Sequence, residues 1–183
     1  PEVAIRKVSA PDVHKMRDQM FKQIPATETL YRSEEIDTAC SSKFMSAYCN
    51  YPLLIGQKTN LYKCVLENGF SMMSEKGYMG MLHPETVYDD PYGQPLRKEL
   101  FKRLRYHFQY RNEFCLFAEV SHTRKYSTNI YGGLKNTIKF DNINNLFHPS
   151  TIDASYCHNG FGKIFGIKDP NGNWNITAHK NRI

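Results

Sequence analysis

The side chains best suited to chemistry follow a short apolar run at positions 78–82. His83, Glu85 and Tyr88 bring an imidazole, a carboxylate and a phenol into one short segment, and two aspartates follow them. The apolar run is typical of a strand buried in a parallel sheet, and open α/β sheets bind ligands just beyond the carboxyl ends of their strands. His83, Glu85 and Tyr88 are therefore candidate cleft-lining residues. A capped strand end with solvated acids stays open as the alternative.

A group of basic side chains forms a second candidate site, with phosphate as its ligand. Its members are Lys102, Arg103, Arg105 and Arg111, in a chain whose formal net charge is +6. They accompany leucines spaced four residues apart, which predict an amphipathic helix from Pro95 to about His107. Clustered cations attract the phosphates of nucleic acid. A solvated helix face opposite the leucines explains the same pattern without a ligand.

A third candidate is an aromatic side chain that could stack on a nucleobase. Phe117 lies in the apolar segment 114–120, which is typical of a strand. An aromatic ring at the edge of a binding cleft can pack on a base that has left its stack. From chemistry alone, a phenylalanine in a strand is more often part of the core.

Several classes of site and compartment are disfavoured by the composition. The five cysteines include no Cys-x-x-Cys pair, so the sequence predicts no metal site and mostly buried, reduced thiols of a cytoplasmic protein. No Asp or Glu is followed two positions later by Lys, which argues against a metal-dependent restriction nuclease. No apolar run approaches the roughly 18 residues of a membrane span, so no membrane partner is expected.

Three regions that differ in composition and hydrophobic pattern must position these side chains. Residues 1–50 are predicted to be helical, because apolar residues recur at helical spacing after Ser and Pro. Residues 51–133 are predicted to alternate: a helix at about 60–75, the strand at 78–82, the helix at 95–107, and strands at 114–120 and 126–131 that form a hairpin. Residues 134–183 are rich in Asn and Gly and indicate loops. The predicted fold class is α/β, with one clear strand–helix unit.

Five segments of the sequence resemble a group of large bacterial DNA methyltransferases. They are QKTNLYKC at 57–64, GMLHPETVYDDP at 80–91, LRYHFQYRNE at 104–113, NIYG at 129–132 and NLFHP at 145–149. The group is the adenine-N6 class, as in single-chain restriction–modification enzymes and phage-exclusion methyltransferases. The similarity covers nearly the whole chain and is most extensive over 51–160.

The resemblance implies a partial Rossmann-like methyltransferase sheet with N-terminal helices, a C-terminal antiparallel hairpin and an irregular tail. In this family an Asn-Pro-Pro-aromatic motif holds the target amine and a glycine-rich motif binds S-adenosylmethionine, and this sequence contains neither. The chain therefore resembles the later half of the domain. Its regions would be a helical segment (1–50), the later half of the sheet (51–133) and a linker toward a target-recognition region (134–183). S-adenosylmethionine is implied for the parent protein and none is expected for this fragment alone.

The resemblance also implies roles for the candidate residues. Phe117 would stack on the extruded adenine, with Phe114 as its nearby competitor, and the basic group would contact phosphates of double-stranded DNA. No catalytic residue lies in the chain, so the fragment is not expected to methylate DNA by itself. A non-catalytic DNA- or protein-binding module stays open as the alternative, and an unpaired sheet edge favours self-association.

Overall fold

The computed structural model describes residues 7–164, 169–171 and 173. Over these residues the chain forms six α-helices and one four-stranded mixed sheet, which confirms the α/β class and is consistent with a partial Rossmann-like sheet. The helices are α1 (Ala10–Gln23), α2 (Pro25–Ser46), α3 (Leu61–Met72), α4 (Thr86–Asp89), α5 (Gln94–Arg103) and α6 (Ser150–Tyr156). The strands are β1 (Tyr78–Pro84), β2 (Leu104–Arg111), β3 (Lys125–Gly132) and β4 (Asp141–Leu146).

The strand order of the sheet is β1-β3-β2-β4. Strand β3 lies between β1 and β2 and is antiparallel to both, whereas β4 pairs with β2 in parallel. Strands β1, β2 and β4 therefore run in one direction, so that their carboxyl ends meet the beginning of β3 at one edge of the sheet. The segments that follow β1 and β2 leave the sheet at this edge, where the candidate site is formed.

The predicted hairpin is present, but its first strand is β2 and not the segment 114–120. The structure ends α5 at Arg103 and continues as a strand, whereas the sequence predicted a helix to about His107. Leu104 is only 1% exposed. It continues the leucine spacing of the helix and also lies on the buried face of the strand. The aromatic residues that follow Leu104 at every second position favour a strand, and this preference outweighs the helical spacing.

Strand β1 is an edge strand, so the prediction of a strand buried on both faces of a parallel sheet is wrong. Its side chains alternate, with Tyr78 73% and Leu82 52% exposed, while Met79 and Met81 pack against the core. Among the described residues, β1 has β3 as its strand partner and no strand on its other side. The self-association expected from an unpaired edge stays a prediction.

The main core lies between the sheet and helices α3 and α5. Leu66, Leu96, Leu100 and Tyr131 are all 0% exposed and pack in one cluster. Helices α1 and α2 confirm the helical prediction for most of residues 1–50, but neither contains a buried residue. They pack on each other, with the rings of Phe21 and Tyr31 5.5 Å apart.

Two further expectations are corrected by the structure. The region 134–183 is not irregular throughout, because β4 adds a strand to the sheet and α6 follows it. The expected linker beyond residue 173 lies outside the described residues. All five cysteines are free thiols as predicted, but only Cys64 is buried, because the other four lie on exposed helix faces and loops.

Candidate functional site

A cavity of about 460 Å³ lies where β1 ends and β3 begins. This volume falls within the range of small-molecule binding sites. Its lining residues come from the end of β1, from α4, from the segment between β2 and β3, and from the start of β3: Pro84, Glu85, Thr86, Asp89, Phe117, Val120, Thr123, Arg124, Lys125 and Tyr126. Two of the sequence-predicted site residues, Glu85 and Phe117, are therefore brought together at one cavity, although they lie far apart in the sequence.

The apolar part of the cavity wall is an aromatic pair. The ring of Phe117 meets the ring of Tyr126 edge to face, with centroids 5.0 Å apart and an interplanar angle of 89°. Such T-shaped pairs are favourable beyond the area they bury. Phe117 remains 40% exposed, so part of its ring is open to a ligand in the cavity. The structure places Phe117 in a loop and not in the predicted strand.

Glu85 joins the cavity wall to a buried ion pair. Its Oε1 accepts a hydrogen bond from Nε2 of His107 at 3.1 Å, and its Oε2 accepts one from Nε2 of Gln109 at 2.7 Å. The other ring nitrogen of His107 lies 2.7 Å from Oδ1 of Asn142 on β4. Because both ring nitrogens of His107 face oxygen acceptors, the geometry favours the protonated imidazolium. Neither His107 nor Gln109 was a candidate in the sequence, since nothing local links them to Glu85.

The pKa values of this pair move apart. Burial by itself raises the pKa of Glu85, but hydrogen bonds from His107, Gln109 and Ser127 outweigh burial and lower it below 4.5. Burial lowers the pKa of His107, but hydrogen bonds to Glu85 and Asn142 outweigh burial and raise it above 6.5. The carboxylate is thus held ionised and saturated by partners, so it is better placed to orient the wall than to accept a proton from a ligand.

His83 and Tyr88 belong to the core and do not line the cleft as the sequence predicted. His83 is 2% exposed, with its Nε2 2.8 Å from the hydroxyl of Tyr131 and its Nδ1 2.9 Å from the carbonyl oxygen of Pro84. The Tyr88 hydroxyl donates to Oδ1 of Asn129 at 2.8 Å. The reason is the alternation of side chains along β1, which puts His83 on the core-facing side with Met79 and Met81 and leaves the exposed face to Leu82.

A second buried ion pair anchors the end of α4. Lys63 is 5% exposed, and its ammonium donates to Oε1 of Gln57 at 2.9 Å and pairs with the carboxylate of Asp90. Asp90 directly follows α4, whose last residue, Asp89, lines the cavity. The Lys63 side chain therefore fixes the segment that carries the acidic side of the site.

The basic side chains predicted to contact phosphate do not form one basic surface. Arg103 pairs with Glu99 at 2.8 Å and lies over the ring of Phe70 at 5.1 Å. Arg105 donates to three backbone carbonyls of residues 102–104 and to that of Gly133, so its guanidinium holds α5 to β2 and the end of β3. Lys102 and Arg111 are half-buried. A strand begins within the segment predicted to be helical, so these basic side chains are divided between α5 and β2 and do not share one helix face. Their contact with phosphate stays a prediction.

Two exposed cations at the cavity were missed. Arg124 and Lys125 line it, immediately before and at the start of β3. Both were counted within a turn between two predicted strands. No local signal could have identified them, because their place beside the carboxyl ends of β1 and β2 depends on strand β2, which the sequence pattern does not reveal.

The described glycines do not form the cofactor-binding turn that the resemblance implies for S-adenosylmethionine. Gly132 and Gly133 end β3, and a Cβ at Gly133 would collide with the carbonyl oxygen of Glu75. Gly160 and Gly162 have positive φ angles but follow α6, not a strand. The glycine-rich motif of the resembled family follows the first strand of the sheet, and none of the described glycines lies in a turn that leads from a strand directly into a helix. The described residues therefore do not supply the cofactor-binding turn.

The chain matches no family model, no curated protein and no solved structure. Within the part of the chain that the structure describes, no three His, Cys, Asp or Glu side chains come together as metal ligands. Over the same residues, no helix combines the length and the apolar character needed to cross a membrane.

The two buried histidines are expected to titrate on opposite sides of pH 6.5. Burial lowers the pKa of His83, where Pro84 and Glu85 act in the other direction and His107 adds to the effect, whereas the pKa of His107 is raised. Neutral His83 therefore stabilises the fold above about pH 6.5, and this stabilisation disappears as the pH falls. Charged His107 stabilises the fold below about pH 6.5, and this stabilisation disappears as the pH rises through its folded pKa.

Imidazole titrations followed by NMR measure both midpoints directly. The variants His83→Gln and His107→Gln assign the two resonances by their disappearance. If both midpoints lie near pH 6.5, the opposite pKa shifts expected for His83 and His107 are contradicted.

Proposed function

We propose that this chain is part of an S-adenosylmethionine-dependent DNA adenine-N6 methyltransferase and supplies the far wall of its target-base pocket. The observation that carries the proposal is the cavity at the carboxyl edge of the sheet, which joins the Phe117–Tyr126 pair to the exposed cations Arg124 and Lys125. An unstacked nucleotide presents both a flat base, which can pack on an aromatic ring, and a negative phosphate, which attracts cations. The partner is DNA, and the parent protein is cytoplasmic.

The topology supports this proposal. The chain runs from β1 through α4 and α5 to β2, and then turns back through β3, which inserts between them. The antiparallel β2–β3 pair agrees with the expectation of a hairpin in such a sheet, and β4 follows it as a further, parallel strand. The cavity lies at the end of the sheet where open α/β folds bind their ligands.

The chemistry of the lining favours a nucleobase over a purely apolar ligand. Phe117 and Val120, both at least 40% exposed, offer apolar surface to a base, and the Thr86 hydroxyl and the exposed Asp89 carboxylate offer acceptors for an amine. A base reaches such a pocket only after it leaves the duplex stack. The methyl donor and the catalytic dipole would come from residues other than those described, so no chemical step is assigned to this chain.

Binding of DNA that carries an unstacked adenine tests the proposal. The ligands are two labelled duplexes, one with an adenine opposite an abasic position and one fully paired, and fluorescence anisotropy measures their affinities. Phe117→Ala is expected to weaken binding of the first duplex by about 1–3 kcal/mol, the usual contribution of one stacked base. Phe117→Trp is expected to retain it, because an indole stacks as well as a benzyl ring.

Phe161→Ala is the matched control, since Phe161 is 85% exposed and does not line the cavity. Equal affinity for the two duplexes, with no effect of Phe117→Ala, would favour the alternative of a non-catalytic DNA-binding module. Absence of binding to either duplex would contradict both of these functions and favour the alternative of a protein-binding module.

A further inference from the structure

The segment between β2 and β3 presents apolar side chains to solvent without regular structure. It spans residues 112–124 and begins with one turn of 3-10 helix, Asn112–Phe114. Four of its side chains are at least 40% exposed: Phe114, Leu116, Phe117 and Val120. Burial of these side chains therefore contributes little to the order of the segment, and polar contacts must hold it.

The side chain of Asn112 supplies these contacts. It is 0% exposed, and its Nδ2 donates to the carbonyl oxygens of Phe117 at 2.9 Å and Val120 at 2.6 Å. Its Oδ1 accepts from the backbone N–H of Phe117 at 3.1 Å. The backbone N–H of Asn112 donates to the carbonyl oxygen of Arg124 at 3.1 Å and closes the base of the segment. Both amide protons and the amide oxygen are thus used, and all three of these side-chain bonds go to Phe117 or Val120.

We propose that Asn112 is a positioning residue, which holds Phe117 against Tyr126 and presets the cavity for a flat aromatic ligand before that ligand binds. A preset wall removes the entropy cost of ordering the segment on binding. The identity of the ligand as a nucleobase rests on the proposed function. The positioning itself rests only on the hydrogen bonds of Asn112.

The variant Asn112→Asp separates positioning from general stability, because it keeps the shape and exchanges the donor group for a carboxylate oxygen. At neutral pH that oxygen faces the carbonyl oxygens of Phe117 and Val120 and repels them. Below the pKa of the new carboxyl, its proton restores one donor. We expect the nuclear Overhauser effect between the rings of Phe117 and Tyr126 to disappear at neutral pH and to return in part in acid, whereas the wild type keeps it throughout.

Amide hydrogen exchange gives a second readout. The Phe117 amide is expected to exchange at least about tenfold faster in Asn112→Asp at neutral pH, while the amide of Tyr131 in the core keeps its protection. Asn136→Asp is the control, because Asn136 is exposed in the segment between β3 and β4. If Asn112→Asp fails to fold, Asn112→Ser offers a smaller change with the same expected direction.

Three results would overturn the proposal. These are an unprotected Phe117 amide in the wild-type protein, an unchanged Overhauser effect between the two rings in a folded Asn112→Asp variant, and an equal fall in protection at Tyr131 and Phe117. None of them requires DNA, so they are distinct from failure of the proposed function.

The affinity for the duplex with the unstacked adenine then links positioning to binding. This affinity is expected to fall about tenfold in Asn112→Asp at neutral pH. A tenfold fall corresponds to a segment that occupies its binding-competent conformation one tenth of the time. Separation of the two rings with unchanged affinity would overturn the link between positioning and binding.

Discussion

Replacing Arg124 and Lys125 together by glutamine is expected to weaken DNA binding in 0.1 M salt by about tenfold for each phosphate that is no longer neutralised. Both side chains are exposed beside the cavity, so that their charge is available to a ligand. Each neutralised phosphate releases counterions and adds about 0.9 to the slope of log K against log salt. The slope should therefore decrease by about 2 when both charges are removed. Anisotropy titrations of the paired duplex at a series of salt concentrations measure both quantities.

Arg103→Gln is the matched control for charge. It removes one charge, against two in the double variant, from a side chain already paired with Glu99 and stacked over Phe70, so it should leave the salt slope unchanged. If Arg103→Gln lowers the slope by about 0.9, half the change expected of the double substitution, net charge and not the cavity rim governs binding. That result would restore the basic group predicted from the sequence.

Replacing Glu85 by glutamine is expected to cost about 3–5 kcal/mol of unfolding free energy near pH 6, the usual cost of removing one partner of a buried ion pair. The substitution keeps the shape of the side chain but leaves His107, which is 8% exposed, without its counter-charge. The cost should be largest between about pH 4.5 and 6.5. The lowered pKa of Glu85 makes its contribution complete above 4.5, and the raised pKa of His107 makes its contribution complete below 6.5.

Urea unfolding across this pH range measures the difference, with Glu113→Gln as a control because Glu113 is exposed. The double variant Glu85→Gln with His107→Gln should cost less than the sum of the single variants, because removal of both charges leaves none uncompensated. A cost that is independent of pH, or strictly additive, would show that the two side chains do not stabilise the fold as an ion pair.

Much of the fold could be predicted from local signals. Proline in the first turn marks the starts of α1 and α5, and the apolar run and the alternating segment predict β1 and β3. The second helix was expected to begin at Ser33, but it already begins at Pro25. Strand β2 could not be found in this way. Leu104 continues the leucine spacing of α5, so only packing against β3 decides that the chain extends at this point.

The same limit applies to the segment 114–120, whose apolar residues favour a strand. Its backbone groups instead bond to the side chain of Asn112, which directly follows β2. A single buried amide thus outweighs the local propensity of several residues. The consequence for the site is large, because Phe117 then lies on the cavity wall and not within a sheet.

Local patterns predicted the starts of α1, α3 and α5 and the apolar segments, and they made Glu85 and Phe117 candidate site residues. Which of these groups meet follows from the tertiary fold. Glu85 and His107 are 22 positions apart, and their ion pair forms because β3 brings the end of β1 and the middle of β2 into one sheet. Pairings of this kind depend on strand order and register, and no local pattern encodes either.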